Sequence, residues 1–174
     1  MSGRSALGLL LCLGAGCAAS APGGHIARME PGAGALQGPT AGTATGRAEM
    51  RDLMARINRH RRLIGCRPLA WDERMARVAQ RHSEDMARRG YFSHVDPDGH
   101  DPFDRMRRAG IRFQAAAENV ASGQRHAAET FDDWMGSRGH RENLERCVYT
   151  RIGIGLYRGR WTCVMAKPAA VGGA

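Results

Sequence analysis

Acidic residues crowd one short segment, Asp96-Pro97-Asp98-Gly99-His100-Asp101. Carboxylates at this density could bind calcium, but an EF-hand loop also needs a third aspartate, a glycine and a distal glutamate at fixed places, which this segment lacks. Proline and glycine among short acidic side chains favour a turn. Because Pro102 follows Asp101, we interpret the segment as a turn that leads into a capped helix.

Cysteines offer a second chemistry, since two thiols can form a disulfide. Cys12 and Cys17 belong to the N-terminal segment described below, which leaves Cys66, Cys147 and Cys163. An exported protein is expected to hold one disulfide. Pairing of Cys66 with Cys147 is favoured because each lies at the end of a predicted element, while pairing of Cys66 with Cys163 stays open. The absence of a CxxC spacing argues against a zinc thiolate site.

The N-terminal residues are typical of an export signal. Residues 1–21 contain an early arginine, a short apolar stretch and then small residues, which is the order found in secretory signals. The residues before Cys17 also resemble a bacterial lipobox, although Gly14 stands where leucine is usual. Lipidation of Cys17 and free secretion after cleavage near Ala19 are therefore both open.

Composition divides the rest of the chain. Residues 22–46 are rich in Gly, Ala and Pro, and they lack the large apolar side chains that offset ordering entropy, so a flexible linker is predicted. Residues 47–166 are enough for one domain with a single core, and residues 167–174 form a short tail. The 174 residues exclude two large domains. No apolar run beyond the N-terminus is long enough to span a membrane.

The charge is strongly basic. Lys and Arg number 26 against 17 Asp and Glu, which gives a net charge of +9 and predicts attraction to anionic surfaces such as envelope polymers. The arginines are scattered among acidic residues, unlike the concentrated footprint of a dedicated nucleic-acid binder. We expect a solvated basic surface and no specific nucleic-acid partner.

Hydrophobic periodicity predicts four helices followed by a β-hairpin. Aspartates cap two of the helices and glycines end three, while the segment at 113–121 offers another strand. Helices around a small sheet indicate an α+β fold. The predicted helices cover residues 50–64, 73–89, 102–109 and 127–135, and the hairpin strands cover 152–156 and 161–165.

Six blocks in order resemble the bacterial branch of the CAP superfamily, also called SCP-like. The resemblance covers nearly all of residues 50–166 and implies a three-layer α-β-α sandwich with a small, mostly antiparallel sheet, an open groove and an extracytoplasmic location. The blocks are PLAWD at 68–72, AQRHSEDMA at 79–87, YFSH at 91–94, AENVA at 117–121, WMGSRGHRENL at 134–144 and IGIG at 152–155.

The resemblance also implies a site. The family carries two histidines and two acidic residues on the groove floor, and motif matching places His94, Glu118 and His140 at three of these positions. The fourth is Ser137 here, so the second carboxylate is lacking. Ser137 is expected to cap a short helix that runs through Asn143. The alternative, a Ser137 nucleophile activated by His140, is disfavoured because no oxyanion-hole motif accompanies it.

The three matched residues allow two interpretations. Two imidazoles, one carboxylate and a water would suit zinc, and such a water could become a nucleophile near neutral pH. In the alternative, Glu118 hydrogen-bonds to the histidines and fixes their tautomers across a cleft that holds no metal. The second interpretation is favoured, since spacing alone often identifies polar networks rather than metal sites.

Three functions are therefore weighed. The favoured one is an exported or envelope-tethered binding module that needs no cofactor and takes a lipid, glycan or peptide at a groove formed by His94, Glu118, Ser137 and His140. The second is a peptidase-like hydrolase in which the histidines hold Zn, Mg or Ca and Glu118 is a ligand or general base. The third is a basic binder of anionic envelope surfaces. Membrane contact is expected only through a lipid anchor on Cys17.

Overall fold

The computed structural model describes residues 38–169. The predicted export signal with Cys17, most of the linker and the last five residues lie outside this range. Among the described residues, no helix is both long enough and apolar enough to cross a membrane. The elements are α1 Ala44–Leu63, β1 Ala70–Trp71, α2 Glu73–Arg89, α3 Pro102–Arg108, β2 Phe113–Ser122, α4 Ala127–Gly136, α5 Arg138–Glu145, β3 Arg151–Tyr157 and β4 Arg160–Pro168.

The four strands form one sheet in the order β1-β3-β4-β2. The two-residue strand β1 runs parallel to β3, and the other neighbours are antiparallel. Strands β3 and β4 are joined by Arg158 and Gly159, which both have positive φ, 48° and 74°. Two such residues form the tight turn whose twist suits a hairpin. The predicted α+β class and mostly antiparallel sheet are confirmed.

Helices cover both faces of the sheet because side chains alternate along its strands. On β3, Ile152, Ile154 and Leu156 belong to the same buried cluster as residues of α1, α4 and α5. On β4, Val164 and Ala166 face the other way and pack with residues of α2 and α3. This arrangement is the three-layer α-β-α sandwich that the resemblance implies.

Helix α2 lies directly on β3. A Cβ atom added at Gly153 would collide with the backbone at Met75 and Ala76, and one added at Gly155 would collide with the backbone at Ala79. Only glycine allows this close approach of a helix to a strand. The IGIG block therefore places α2, which carries one of the histidines considered below, against the sheet.

The folded unit extends beyond the boundaries expected from composition. Helix α1 begins at Ala44, after the N-cap Thr43, whose side chain accepts a hydrogen bond from Gly46 N. The backbone N–H of Ala41 donates to Leu156 O of β3 at 2.8 Å. At the other end, β4 continues to Pro168, inside the predicted tail. Low-complexity composition gave no sign of these contacts because they depend on single backbone groups and one threonine hydroxyl rather than on apolar side chains.

Cysteine pairing follows the favoured prediction. Cys66 and Cys147 form a disulfide with a Cα–Cα distance of 5.0 Å, and Cys163 is a buried free thiol. Cys66 follows α1 and Cys147 follows α5, so the bond ties the ends of two helices together. Burial raises the pKa of the Cys163 thiol and keeps it protonated.

Candidate functional site

Glu118 is the buried acid at the centre of the candidate site. It lies on β2, and its side chain is 1% exposed. Its carboxylate accepts a hydrogen bond from His94 Nδ1 at 3.0 Å, and His82 Nε2 lies 3.9 Å away. A buried carboxylate needs such partners to offset its desolvation.

Arg105 of α3 is the main partner of Glu118. Its Nη2 donates to both carboxylate oxygens, at 3.1 and 2.9 Å, while Nη1 donates to the carbonyl oxygens of His94 and His100 at 2.9 and 2.8 Å. One guanidinium thus neutralises the acid and holds the loop that carries His94. Arg105 was not identified from sequence, where it was one of many scattered arginines.

His82 of α2 contacts the same loop through a hydrogen bond. Its side chain is 1% exposed, and Nε2 donates to Ser93 O at 2.9 Å, which leaves Nδ1 as the acceptor of a neutral ring. Burial lowers the pKa of His82 and favours this neutral form. The sequence placed His82 on the apolar face of its helix, but no pattern linked it to the loop.

One ring nitrogen of His94, Nε2, has no hydrogen-bond partner among the described residues. Because Nδ1 donates to Glu118, Nε2 carries the lone pair in the neutral ring. The His94 side chain is 45% exposed, so part of the ring is accessible to a ligand. Glu118 therefore fixes the tautomer of His94 in the neutral ring.

His140 is on α5 and lies beside His94, which is in the loop between α2 and α3. The two ring centroids are 6.5 Å apart, and burial, with a smaller contribution from His94, lowers the pKa of His140. Asn119 positions the helix, since its Nδ2 donates to His140 O at 3.0 Å and its Oδ1 accepts from Asn143 at 2.9 Å.

Ser137 occupies the junction between α4 and α5. It stands at the N-cap position of α5, and its backbone carbonyl accepts from Arg141 N at 2.9 Å, but its side chain makes no capping hydrogen bond. Among the described residues, no hydrogen bond joins the Ser137 hydroxyl to His140. The geometry thus contains no serine–histidine nucleophile pair.

His94, Glu118 and His140 do not fit a three-ligand metal centre. Within residues 38–169, the only group of three His, Cys or acidic residues whose ligand atoms all lie within 4.8 Å of one another is Asp96, Asp98 and His100. Both oxygens of Glu118 are also already held by Arg105. A metal at the three matched residues would have to displace this guanidinium.

The acidic turn is stabilised by its own contacts. Asp96 Oδ1 accepts from the backbone N–H groups of Asp98 and His100, and Asp98 forms a two-bond pair with Arg89 at 2.6 and 3.2 Å. Asp101 then caps α3 in a capping box with Asp104. The interpretation as a turn and helix cap is confirmed.

Comparison with known proteins now gives the family. The CAP model, described as the cysteine-rich secretory protein family, matches residues 54–165. This chain belongs to the CAP family. The matched range begins within α1 and ends within β4, so it takes in all three layers of the CAP domain.

Relatives of the CAP domain are longer proteins. The uncharacterized protein YkwD of Bacillus subtilis (strain 168) is 40% identical over 98 residues, which are 56% of this chain and 38% of YkwD. The uncharacterized membrane protein YlbC of the same organism is 38% identical over 98 residues, or 28% of its own length. This chain therefore spans well under half of the curated relatives it matches.

Solved structures share the CAP fold. An extracellular protein with an SCP domain from Bacillus anthracis str. Ames is 33% identical with a TM-score of 0.68, and the match covers 70% of this chain and 41% of that one. An outer surface protein of Borrelia burgdorferi is 20% identical with a TM-score of 0.66, and the match covers 71% and 95% of the two chains. At this lower identity the likeness concerns the fold alone.

Proposed function

We propose that this CAP-domain protein is a non-catalytic, extracytoplasmic binding module. Its ligand, a lipid, glycan or peptide, would dock on the surface formed by His94 and His140. The location is supported by the extracellular protein of 33% identity that shares the fold and by the disulfide, since disulfides persist in oxidising compartments.

The observation that carries the proposal is the complete engagement of Glu118. A general base must reach the proton that it removes, but both oxygens of this carboxylate face Arg105 and one also accepts from His94. The carboxylate serves to orient His94 rather than to exchange protons. The chemistry left at the surface is the hydrogen-bonding capacity of two imidazoles, which suits a ligand with hydroxyl or amide groups.

The test is a binding screen with three separate probes. Phospholipid vesicles, N-acetylglucosamine oligomers and a mixed peptide library would each be titrated into the purified protein and into His94→Ala and His140→Ala. We expect one probe to bind in a saturable way and both variants to weaken it by about tenfold, the loss typical of removing one hydrogen bond at a polar site. His126→Ala is the matched control, because His126 is an exposed histidine that pairs with Glu49 elsewhere.

Hydrolysis is the outcome that would overturn the proposal. If the protein cleaves a peptide or ester substrate and His94→Ala abolishes cleavage, the module is an enzyme. Equal binding by wild type, His94→Ala and His140→Ala would show that the ligand binds elsewhere on the protein. A steep loss of binding with salt, unaffected by either variant, would instead favour the general basic surface.

A further inference from the structure

A cavity lies next to the candidate site and shares Arg105 with it. Its volume is about 380 Å³, and it is lined by α2, α3 and the acidic turn through Val78, Arg81, Asp96, His100, Arg105, Arg108 and Ala109. This volume falls in the range of small-molecule sites. Neither His94 nor His140 lines it, so it is distinct from the surface proposed above.

Arg81 and Arg108 supply unbalanced positive charge to this cavity. They stand on different helices, α2 and α3, yet both line the same space. Eleven other arginine and histidine side chains in the described range lie within ion-pair distance of an acid, but neither of these two does. Two guanidinium groups that line one cavity without ion-pair partners of their own repel each other, and an anion bound between them would relieve this repulsion.

The one acid in the lining is already occupied. Asp96 Oδ1 accepts from two backbone N–H groups of its own turn, and Oδ2 lies 3.2 Å from His100 Nδ1. Arg105, the third arginine, is balanced by Glu118. Its Nε is nonetheless buried without a hydrogen-bond partner, so a residue of the cavity lining keeps one unused donor.

We propose that this cavity binds a phosphate group held between Arg81 and Arg108. The guanidinium fork matches the oxygens of phosphate in pairs, and two such forks from separate helices can grip different oxygens of one tetrahedral group. The volume exceeds that of phosphate alone, so the group can be free or can belong to an ester such as a glycerol phosphate. The site goes beyond the proposed function and does not depend on it.

The experiment titrates inorganic phosphate and, separately, glycerol 3-phosphate into the purified protein, with sodium chloride at matched ionic strength as the reference. Binding is followed by calorimetry and by backbone amide NMR shifts. We expect one saturable site, with the largest shifts at residues 96–100 and 105–109. Tighter binding of the ester would indicate that the bound phosphate belongs to a lipid headgroup or a polymer. Tighter binding of the inorganic ion would indicate that the site takes a free anion.

Two variants with equal charge decide the location. Arg81→Gln/Arg108→Gln removes the proposed grip and is expected to weaken phosphate binding by more than tenfold. Arg59→Gln/Arg62→Gln removes two exposed arginines of α1 and is expected to bind like wild type. All four side chains are exposed, and matching thermal unfolding would verify that both variants fold. Absence of a saturable site in wild type, or equal weakening by both variants, would overturn the proposal.

Discussion

The guanidinium of Arg105 lies against both carboxylate oxygens of Glu118, at 3.1 and 2.9 Å. The single acid of the site is therefore paired with a basic residue. A second carboxylate, which acid–base chemistry would use, is lacking. The pair also joins α3 to β2, and the same guanidinium holds the loop between α2 and α3 that carries His94. The contact has consequences for stability that can be measured.

Removal of Arg105 should destabilise the protein strongly. Arg105→Gln leaves the carboxylate of Glu118 buried without its cation, which typically costs about 3–5 kcal/mol. The free energy of unfolding, measured with urea, should fall by that amount. Arg105→Gln/Glu118→Gln removes both charges and should recover part of the loss. If the single variant lost less than about 1 kcal/mol, the pair would contribute no more than a surface ion pair.

Acid should destabilise the fold through His82. Burial keeps the folded pKa of His82 below its ordinary value of 6.5, with Arg105 and His94 acting in the same direction and Glu118 opposing them. The unfolded ring binds a proton more readily, so the stability due to neutral His82 is fully present above about pH 6.5 and is lost as the pH falls through the lower folded pKa.

The measurement is the free energy of unfolding between pH 5 and 8. His82→Gln keeps an N–H donor for Ser93 O but cannot be protonated, so its profile should be flatter than that of wild type. A slope remains from His140, whose pKa is also lowered. His126→Gln, at an exposed histidine, serves as the control. A His82→Gln profile as steep as that of wild type would contradict the assignment.

Most of the fold could be predicted from sequence because its signals are local. Helix α2 combines a strong apolar stripe with the N-cap Asp72 and the αL residue Gly90, and the structure has all three. Strand β1 was missed because it is only two residues long. Its existence depends on pairing with β3, a tertiary contact that leaves no pattern in two residues.

The site was only partly predictable for a related reason. Family motifs identified His94, Glu118 and His140, but the further partners of Glu118 are His82 of α2 and Arg105 of α3, which belong to other elements and carry no motif of their own. One signal was available: Glu118 and Asn119 are adjacent polar residues within the buried part of β2. Buried polar neighbours on both faces of a strand require partners, although their identity comes only from the packing.

Divalent metals should not bind tightly at the three matched residues. Arg105 occupies the oxygens of Glu118, and a site with only two imidazoles lacks the ligands of a typical zinc centre. Calorimetric titration with zinc, magnesium and calcium is expected to show no binding at micromolar affinity that depends on these histidines. Stoichiometric zinc binding that is lost in His94→Ala/His140→Ala would contradict this and would restore the metal-dependent hydrolase as a candidate.

Loss of the disulfide should lower stability without changing the fold. Cys66 and Cys147 are 81 residues apart, and a crosslink across a loop of this size contributes about 4 kcal/mol through the unfolded chain. Cys66→Ala/Cys147→Ala should therefore unfold at lower urea concentration. A reducing agent should affect wild type in the same way and should leave this variant unchanged. Equal sensitivity of both proteins to the reducing agent would mean that the disulfide contributes little.

The close approach of α2 to β3 gives the sharpest stability test. In Gly153→Ala the new methyl group would overlap the backbone at Met75 and Ala76, so the helix must move off the sheet. Overpacking of this kind costs about 1–3 kcal/mol or more, and the melting temperature should fall by several degrees. Gly139→Ala on α5 is the matched control, since nothing lies within 4 Å of its added Cβ. Because alanine favours the helical conformation over glycine, the control should melt at or slightly above the wild-type temperature. Equal melting of the two variants would show that α2 can shift without loss, and the IGIG block would then have no packing role.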